Sequence, residues 1–514
     1  MHEARINFFQ IVRFLLLNHY CLLLFCSEIE IVMLRLPVYL IICFTLCLKI
    51  TNAQQILYRP RVENCDCLFK SDSLKTRCAY LVVPENRSNP QGKTIKLPFI
   101  IVESNNPHKH PDPVLYTAGG PGASSLAGVK FIHEREFIKD RDYIAFEQRG
   151  TWNALPRLNC FEVSEMLKES YRKGLNRDSM VLEGVKACRI RLAATGIDLA
   201  AYNSQESAAD IEDLRRVLGI DSINLVSISY GGGLMLTVVR NYPQHIRSVV
   251  LDSPLPGFLS YDESALFNIN EALDKIFENC EQDSSDKKLY GDLKKRFRNY
   301  FTSIGNKEFY FMYKEKNARD SIRIRYTRDE LIDFLMDVLS SNSELKNIPF
   351  FIRQIISGNH LPFMRHYFDD IFSRVENANG MRYSVYCSEQ IAYANEQVIK
   401  KENQIFPWLA GYHFNSVNHE ICRCWQVPAE NPIVKSPVLS NIPALLGAGD
   451  TDPWCRPIFN DWIHHFLPNS QRLLFTNKTH GPILSTRDGD QLLARFLADP
   501  YQKITTDGIQ VRAY

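Results

Sequence analysis

Short apolar runs and amphipathic stretches alternate along most of this chain. Tyr80–Val83, Lys96–Val102, Val114–Thr117, Tyr143–Phe146, Ile223–Ile228, Ser248–Leu251, Ala444–Leu446 and Arg472–Phe475 read as strands. Several are too uniformly apolar for a sheet with one wet face, which implies a mostly parallel sheet covered by helices on both sides. Between them, Ser207–Leu218 has helical apolar spacing, and Gly232–Tyr242 reads as a helix that stops before Pro243. From about Pro256 to Pro428 the strand signal disappears and helical segments rich in Phe, Tyr and charge replace it. The pattern therefore predicts an α/β fold in four segments. These are a leader over 1–53, a first core part over 54–255, an inserted helical cap over 256–428 and a second core part over 429–514.

Composition changes this picture little. The chain has 514 residues with 60 basic against 58 acidic side chains, no long block of either sign, and so no sign of a nucleic-acid partner. The N-terminus does change it. Met33-Leu-Arg35, the apolar run Leu36–Leu48 and the small residues before Gln54 have the three regions of a secretory signal, with cleavage expected near Ala53. Residues 1–32 read as an upstream extension, with translation starting at Met33; an uncleaved N-terminal anchor is the competing reading. No membrane span is expected in the mature chain, which is placed outside the cytoplasm, secreted or periplasmic.

Ten cysteines follow the leader, an even set that favours disulfides in an exported chain. Cys65-Asp-Cys67 and Cys422-Arg-Cys424 lack the two-residue gap of zinc knuckles, so no metal is expected.

The chemistry sits at strand ends. Ile223–Ile228 runs into Ser229-Tyr-Gly-Gly232 and then a helix, as a nucleophile elbow requires. The tight turn needs small residues two positions either side of the nucleophile, and Ser227 and Gly231 supply them. Taking Ser227 as nucleophile would put Leu225 at such a position. An earlier strand leads into Ala118-Gly-Gly-Pro-Gly122, placed to give one backbone N–H to an oxyanion hole, from Gly120 or, second choice, Gly119. Tyr230 would give the other. Ala444–Leu446 enters a turn containing Asp450 and Asp452, and Arg472–Phe475 leads to His480-Gly481. Ser229, Asp452 and His480 then stand in the chain order of an α/β-hydrolase triad, each after a strand.

These residues resemble the secreted serine aminopeptidases of the α/β-hydrolase fold, tripeptidyl-aminopeptidase-like and related to prolyl aminopeptidases. The marks are Val83-Pro-Glu-Asn86, Ala118-Gly-Gly-Pro-Gly122, Glu147-Gln-Arg-Gly-Thr151, Ser229-Tyr-Gly-Gly232 and Gly449-Asp-Thr-Asp-Pro453, spread over roughly Cys65 to the C-terminus. The resemblance implies a cap inserted before the acid-bearing strand and makes Asp452, just before the proline, the acid. It implies disulfides Cys160–Cys188, Cys387–Cys422, and Cys78 with Cys65 or Cys67, while Cys280, Cys424 and Cys455 have no assigned partner. Trp152, where the family has glycine, implies a narrowed site.

The expected activity is acyl-enzyme hydrolysis without a cofactor, on a peptide or small ester, as an exopeptidase acting at free N-termini. The alternatives are a carboxylesterase or lipase on the same triad, which Phe350-Phe351 keeps open, and a catalytically silent binding protein. Glu389 is considered as an amine ligand, but a solvated helix position is the preferred reading.

Overall fold

Leu115, Ala145, Leu225, Val249 and Leu445 stand in five neighbouring strands and are fully shielded from solvent. Strands apolar on both faces need cover on both, which is the environment of a parallel sheet between helices. The computed structural model of the protein describes residues 58–373, 378–413 and 417–514, so the leader assigned to 1–53 lies outside the described residues. Residues 59–514 form one compact unit.

The described strands are β1 (Arg61–Asn64), β2 (Thr76–Pro84), β3 (Thr94–Val102), β4 (Val114–Thr117), β5 (Tyr143–Phe146), β6 (Ile223–Ile228), β7 (Ile246–Asp252), β8 (Phe309–Tyr313), β9 (Ile322–Tyr326), β10 (Ala444–Gly449), β11 (Ser470–Phe475) and β12 (Val511–Ala513). Ten of them form one sheet in the order β1-β2-β3-β5-β4-β6-β7-β10-β11-β12. The stretch from β5 to β11 is parallel throughout. The strands outside it join antiparallel. The fold is that of an α/β-hydrolase, and all eight strands expected from the apolar runs are present.

The helical block between β7 and β10 departs from expectation in one respect. It contains the antiparallel hairpin β8–β9, where no strand was expected. Ile322-Arg-Ile-Arg-Tyr326 does alternate apolar and charged residues, but the aromatic run Phe309–Tyr313 carries no alternation that separates it from the Phe-rich helices around it. The core of this block is built on Phe297, Phe301, Leu331, Ile352 and Phe368, and it runs on into Tyr171, Leu255, Cys455 and Phe459 from the flanking segments. A second cluster fills the space around the sheet.

Three disulfides tie the unit: Cys67–Cys78, Cys160–Cys188 and Cys387–Cys422. The first settles the choice for Cys78 in favour of Cys67. Cys65, Cys280, Cys424 and Cys455 are thiols, so the expectation that the ten would be largely paired holds for only six. Cys160 and Cys188 lie 28 residues apart and join the start of helix Phe161–Lys173 to helix Arg177–Ala194. Closing a loop of that size stabilises the folded state by about 3–4 kcal/mol through the unfolded chain. Cys160→Ser with Cys188→Ser is expected to lower the melting temperature by several degrees, read by calorimetry, with the specific activity of folded molecules unchanged.

Candidate active site

β6 ends at Ile228, and Ser229 takes φ +59° before helix Tyr230–Asn241 begins. A left-handed φ at a serine is strained and persists only where the surroundings hold it. They do so here through three backbone bonds: Ser229 N–H donates to Asp252 O at 3.0 Å, and Ser229 O accepts from Gly232 at 2.8 Å and Leu255 at 3.0 Å. The turn is also crowded. A Cβ at Gly231 would lie 2.9 Å from Ala118 O, and one at Gly119 would lie 2.6 Å from Ile228 O and 2.7 Å from Ser229 Cβ. The small-residue requirement read from the sequence thus has a physical cause, the close approach of the glycine-rich loop to the elbow.

Glu147-Gln148-Arg149, after β5, hold that loop and the frame behind it. Glu147 accepts from Ser125 N–H at 2.8 Å and the Ser124 hydroxyl at 3.1 Å, while Gln148 donates to Ala118 O at 2.6 Å and Thr117 Oγ1 at 2.8 Å. Arg149 is fully buried and pairs through two nitrogens with Asp210, both at 2.8 Å. The motif was legible in the sequence only as a family mark; its work is to fix residues 117–125. Gly120 has φ +112° and lines the cavity beside Ser229, and its carbonyl accepts from Arg382 at 2.5 Å. Tyr230 N–H belongs to the first helical turn, where backbone donors have no intrahelical partner. The Tyr230 side chain turns away and meets the Ser204 hydroxyl at 2.8 Å.

The structure brings Asp452 and His480 together. His480 Nδ1 donates to Asp452 Oδ2 at 2.8 Å, and Asp452 Oδ1 accepts from Trp454 N–H at 2.8 Å and Cys455 N–H at 3.0 Å. Burial acts to raise the Asp452 carboxyl, but the His480 ring and the two N–H donors outweigh it and hold the group below its usual range. The partner effect on His480 has the same sense. Burial alone would lower the imidazole, yet Asp452 raises it above its ordinary value. Asp450 points elsewhere. It makes no side-chain bond to His480, and its Oδ1 is buried without a hydrogen-bond partner.

Ser229 and His480 line one cavity of about 1430 Å³ between the strand ends and the helical block. They share no hydrogen bond in this conformation, and contacts of this kind commonly tighten only in a substrate complex. The Ser229 hydroxyl instead meets the thiol of Cys455. Burial, then the charges of Asp452 and Asp252, push that thiol well above its ordinary value, so it stays protonated at neutral pH, and a neutral thiol is a poor nucleophile.

Three sequence expectations need correction. Glu389 is neither solvated nor in the cavity: it is buried and its two oxygens accept the Ser204 N–H at 2.6 Å and hydroxyl at 2.7 Å, anchoring the start of helix Ser204–Val217. Trp152 is not among the cavity-lining residues and sits near Arg157 instead. Phe350 and Phe351 do not line the cavity either; Phe350 is exposed and Phe351 packs on the helical core. Among lining residues, acidic side chains outnumber Lys and Arg two to one, and they include Glu402, which the sequence reading passed over.

Comparison with known proteins agrees with the fold. A family model for the alpha/beta hydrolase fold matches residues 112–291, and one described as TAP-like protein matches residues 409–506. The chain is an α/β-hydrolase by fold, similar to the tripeptidyl-aminopeptidase-like proteins. It is 25% identical to a tripeptidyl aminopeptidase of Streptomyces lividans over 34% of this chain and 35% of that one. It is 21% identical to the serine protease Hip1 of Mycobacterium tuberculosis over 40% and 42% of the two chains. The chain thus spans about a third to two fifths of the length of these relatives. Among solved structures, a proline iminopeptidase of Mycobacterium smegmatis aligns over 82% of this chain and 98% of its own at 12% identity, with a TM-score of 0.38.

Proposed function

We propose that the chain is a serine hydrolase acting through an acyl-enzyme, with Ser229 as nucleophile, His480 as base and Asp452 as the carboxylate that orients it. The observation that carries this reading is the His480–Asp452 bond at 2.8 Å, in a cavity that Ser229 enters from a strained elbow. In attack, Ser229 Oγ bonds to the substrate carbonyl carbon and its proton passes to His480 Nε2, whose Nδ1–H remains on Asp452. The Gly120 and Tyr230 N–H groups receive the oxyanion. When the carbon–nitrogen bond breaks, His480 returns the proton to the leaving amine. Water then repeats the sequence on the ester and frees Ser229.

The segment 256–428 acts in this reading as a cap over the two core parts, 54–255 and 429–514, and its carboxylates select substrate. An exopeptidase working at a free N-terminus must hold an ammonium group, and Glu402 is the residue of choice. Its Oε1 accepts from Leu266 N–H at 2.9 Å and Phe267 N–H at 3.0 Å, and Oε2 has no partner among the described residues. Burial pushes this carboxyl up to about 7 against those two donors, a shift that a bound cation would reverse. Export into an oxidising compartment accords with the three disulfides.

The test is turnover by the purified chain of aminoacyl and tripeptidyl chromogenic amides beside p-nitrophenyl esters. Amide cleavage that needs a free N-terminus is the expected result. Ester turnover alone would select the esterase; failure of both, with no fluorophosphonate labelling, would leave a binding protein. Glu402→Gln is expected to raise KM for free-amine peptides by roughly ten- to a hundredfold, the worth of one hydrogen bond to a charged group. kcat on simple esters should not change.

A further inference from the structure

The backbone directly after the base is held by a strand that the sequence reading left without a role. β7 ends at Asp252 and Ser253 follows it; both are fully buried, and Ser253 adopts φ +47°. Asp252 Oδ1 accepts from Ile483 N–H at 3.1 Å and Oδ2 from Leu484 N–H at 2.8 Å, while Ser253 Oγ accepts from Gly481 N–H at 3.0 Å. These donors belong to three of the four residues that follow His480. The fit is close on the other side as well: Gly481 has φ +70°, and a Cβ there would come within 2.4 Å of Ile228 Cδ1 and 3.5 Å of Asp252 Oδ2. Ser253 is itself tied to the neighbouring strand by its N–H on Gly447 O at 2.8 Å.

We propose that Asp252 and Ser253 are positioning residues for the base: the three acceptors fix the His480 loop over Ser229, and the Asp252 carboxylate adds a second negative charge behind the imidazole. Ser253 contributes only to position. Asp252 contributes to both, and the two effects are separable.

The charged and titratable groups around Asp252 come from every element packed there. Asp452 and Cys455 come from the turn after β10, Tyr116 from β4 and His480 from its own loop. Burial pushes Asp252 up to about 7; the Leu484 and Ile483 N–H groups and the His480 cation oppose that rise, and Asp452 adds to it. Its charge on His480 is therefore present above that range and lost below it. Asp252 raises the imidazole, as Asp452 does more strongly. Removing the Asp252 charge must lower the pKa of His480, so that the base stays neutral and active at lower pH, while the imidazolium formed during attack loses stabilisation.

The experiment is the pH profile of kcat/KM for Asp252→Asn and Ser253→Ala on a substrate turned over by the full chain. Asp252→Asn is expected to move the acid limb to lower pH, by less than Asp452→Asn does, and to lower the plateau by up to about tenfold. Ser253→Ala is expected to lower the plateau severalfold and leave the limb in place. An unmoved limb in folded Asp252→Asn, or an equal displacement in Ser253→Ala, overturns the proposal. Should Asp252→Asn not fold, Ser253→Ala still decides, since a wild-type plateau there overturns it too. The inference rests on His480 being the base of Ser229, which the Ser229→Ala variant tests independently.

Discussion

Ser229→Ala is expected to lower kcat/KM by roughly four to six orders of magnitude and to end labelling by a fluorophosphonate. In the proposed mechanism the hydroxyl is the atom that bonds to the substrate carbon, and nothing beside it can replace it. The Cys455 thiol that meets it is buried and held protonated, and a neutral thiol is a poor nucleophile at neutral pH. Ser227, two residues earlier, is the control. Its side chain is fully buried and its Oγ makes no hydrogen bond, so Ser227→Ala removes an unsatisfied hydroxyl and is neutral or stabilising by up to about 1 kcal/mol. Labelling should persist in that variant. Retained labelling in Ser229→Ala, measured on intact protein by mass spectrometry, would dismiss Ser229 as nucleophile and the acyl-enzyme reading with it.

What the sequence made legible follows from how local each constraint is. β4, β5 and β6 are buried on both faces, so each is a predominantly apolar run with distinct ends, and the runs read from the sequence match the strands residue for residue. The elbow and the glycine loop are legible because crowding at Gly119 and Gly231 forbids side chains there, and a missing side chain is visible in a sequence. The anchors of the site are of another kind. Asp252 and Glu389 spend both oxygens, and Glu402 one, on backbone or hydroxyl donors far along the chain. In sequence each is one acidic residue among many, and a carboxylate is on average solvated. Asp252 did carry a signal: it closes an apolar strand, as the turn carboxylates after β10 do. That same feature, applied to β7, would have singled it out. The hairpin β8–β9 was hidden for a different reason, since its aromatic residues have the composition of the surrounding helices.

The contrast between Asp452 and Asp450 gives the second large effect. Asp452→Asn is expected to lower kcat by about four orders of magnitude, whereas Asp450→Asn should stay within about tenfold of wild type. Position explains the difference. Asp452 Oδ2 receives His480 Nδ1–H at 2.8 Å, and its other oxygen is fixed by the N–H groups of Trp454 and Cys455. An asparagine there would either present its amide nitrogen to the ring, forcing the wrong tautomer, or turn that nitrogen on the two backbone donors. In the first orientation His480 Nε2 carries the proton and cannot accept another; in the second the ring keeps its tautomer, but two buried N–H groups face an amide NH2, which disfavours that orientation. The pH profile carries the same information with a definite sign. Asp452 raises the His480 pKa, so the residual activity of Asp452→Asn should have its acid limb at lower pH than wild type. Asp450 is buried too, and burial raises its carboxyl although the charges of Lys275 and Arg456 and the Asn477 and Lys478 N–H groups oppose the rise. None of these partners is His480, so its replacement leaves the ring's hydrogen bond to Asp452 in place. Kinetics of the two variants across pH 5–9 decide the matter, and a greater loss in Asp450→Asn would move the acid by two residues.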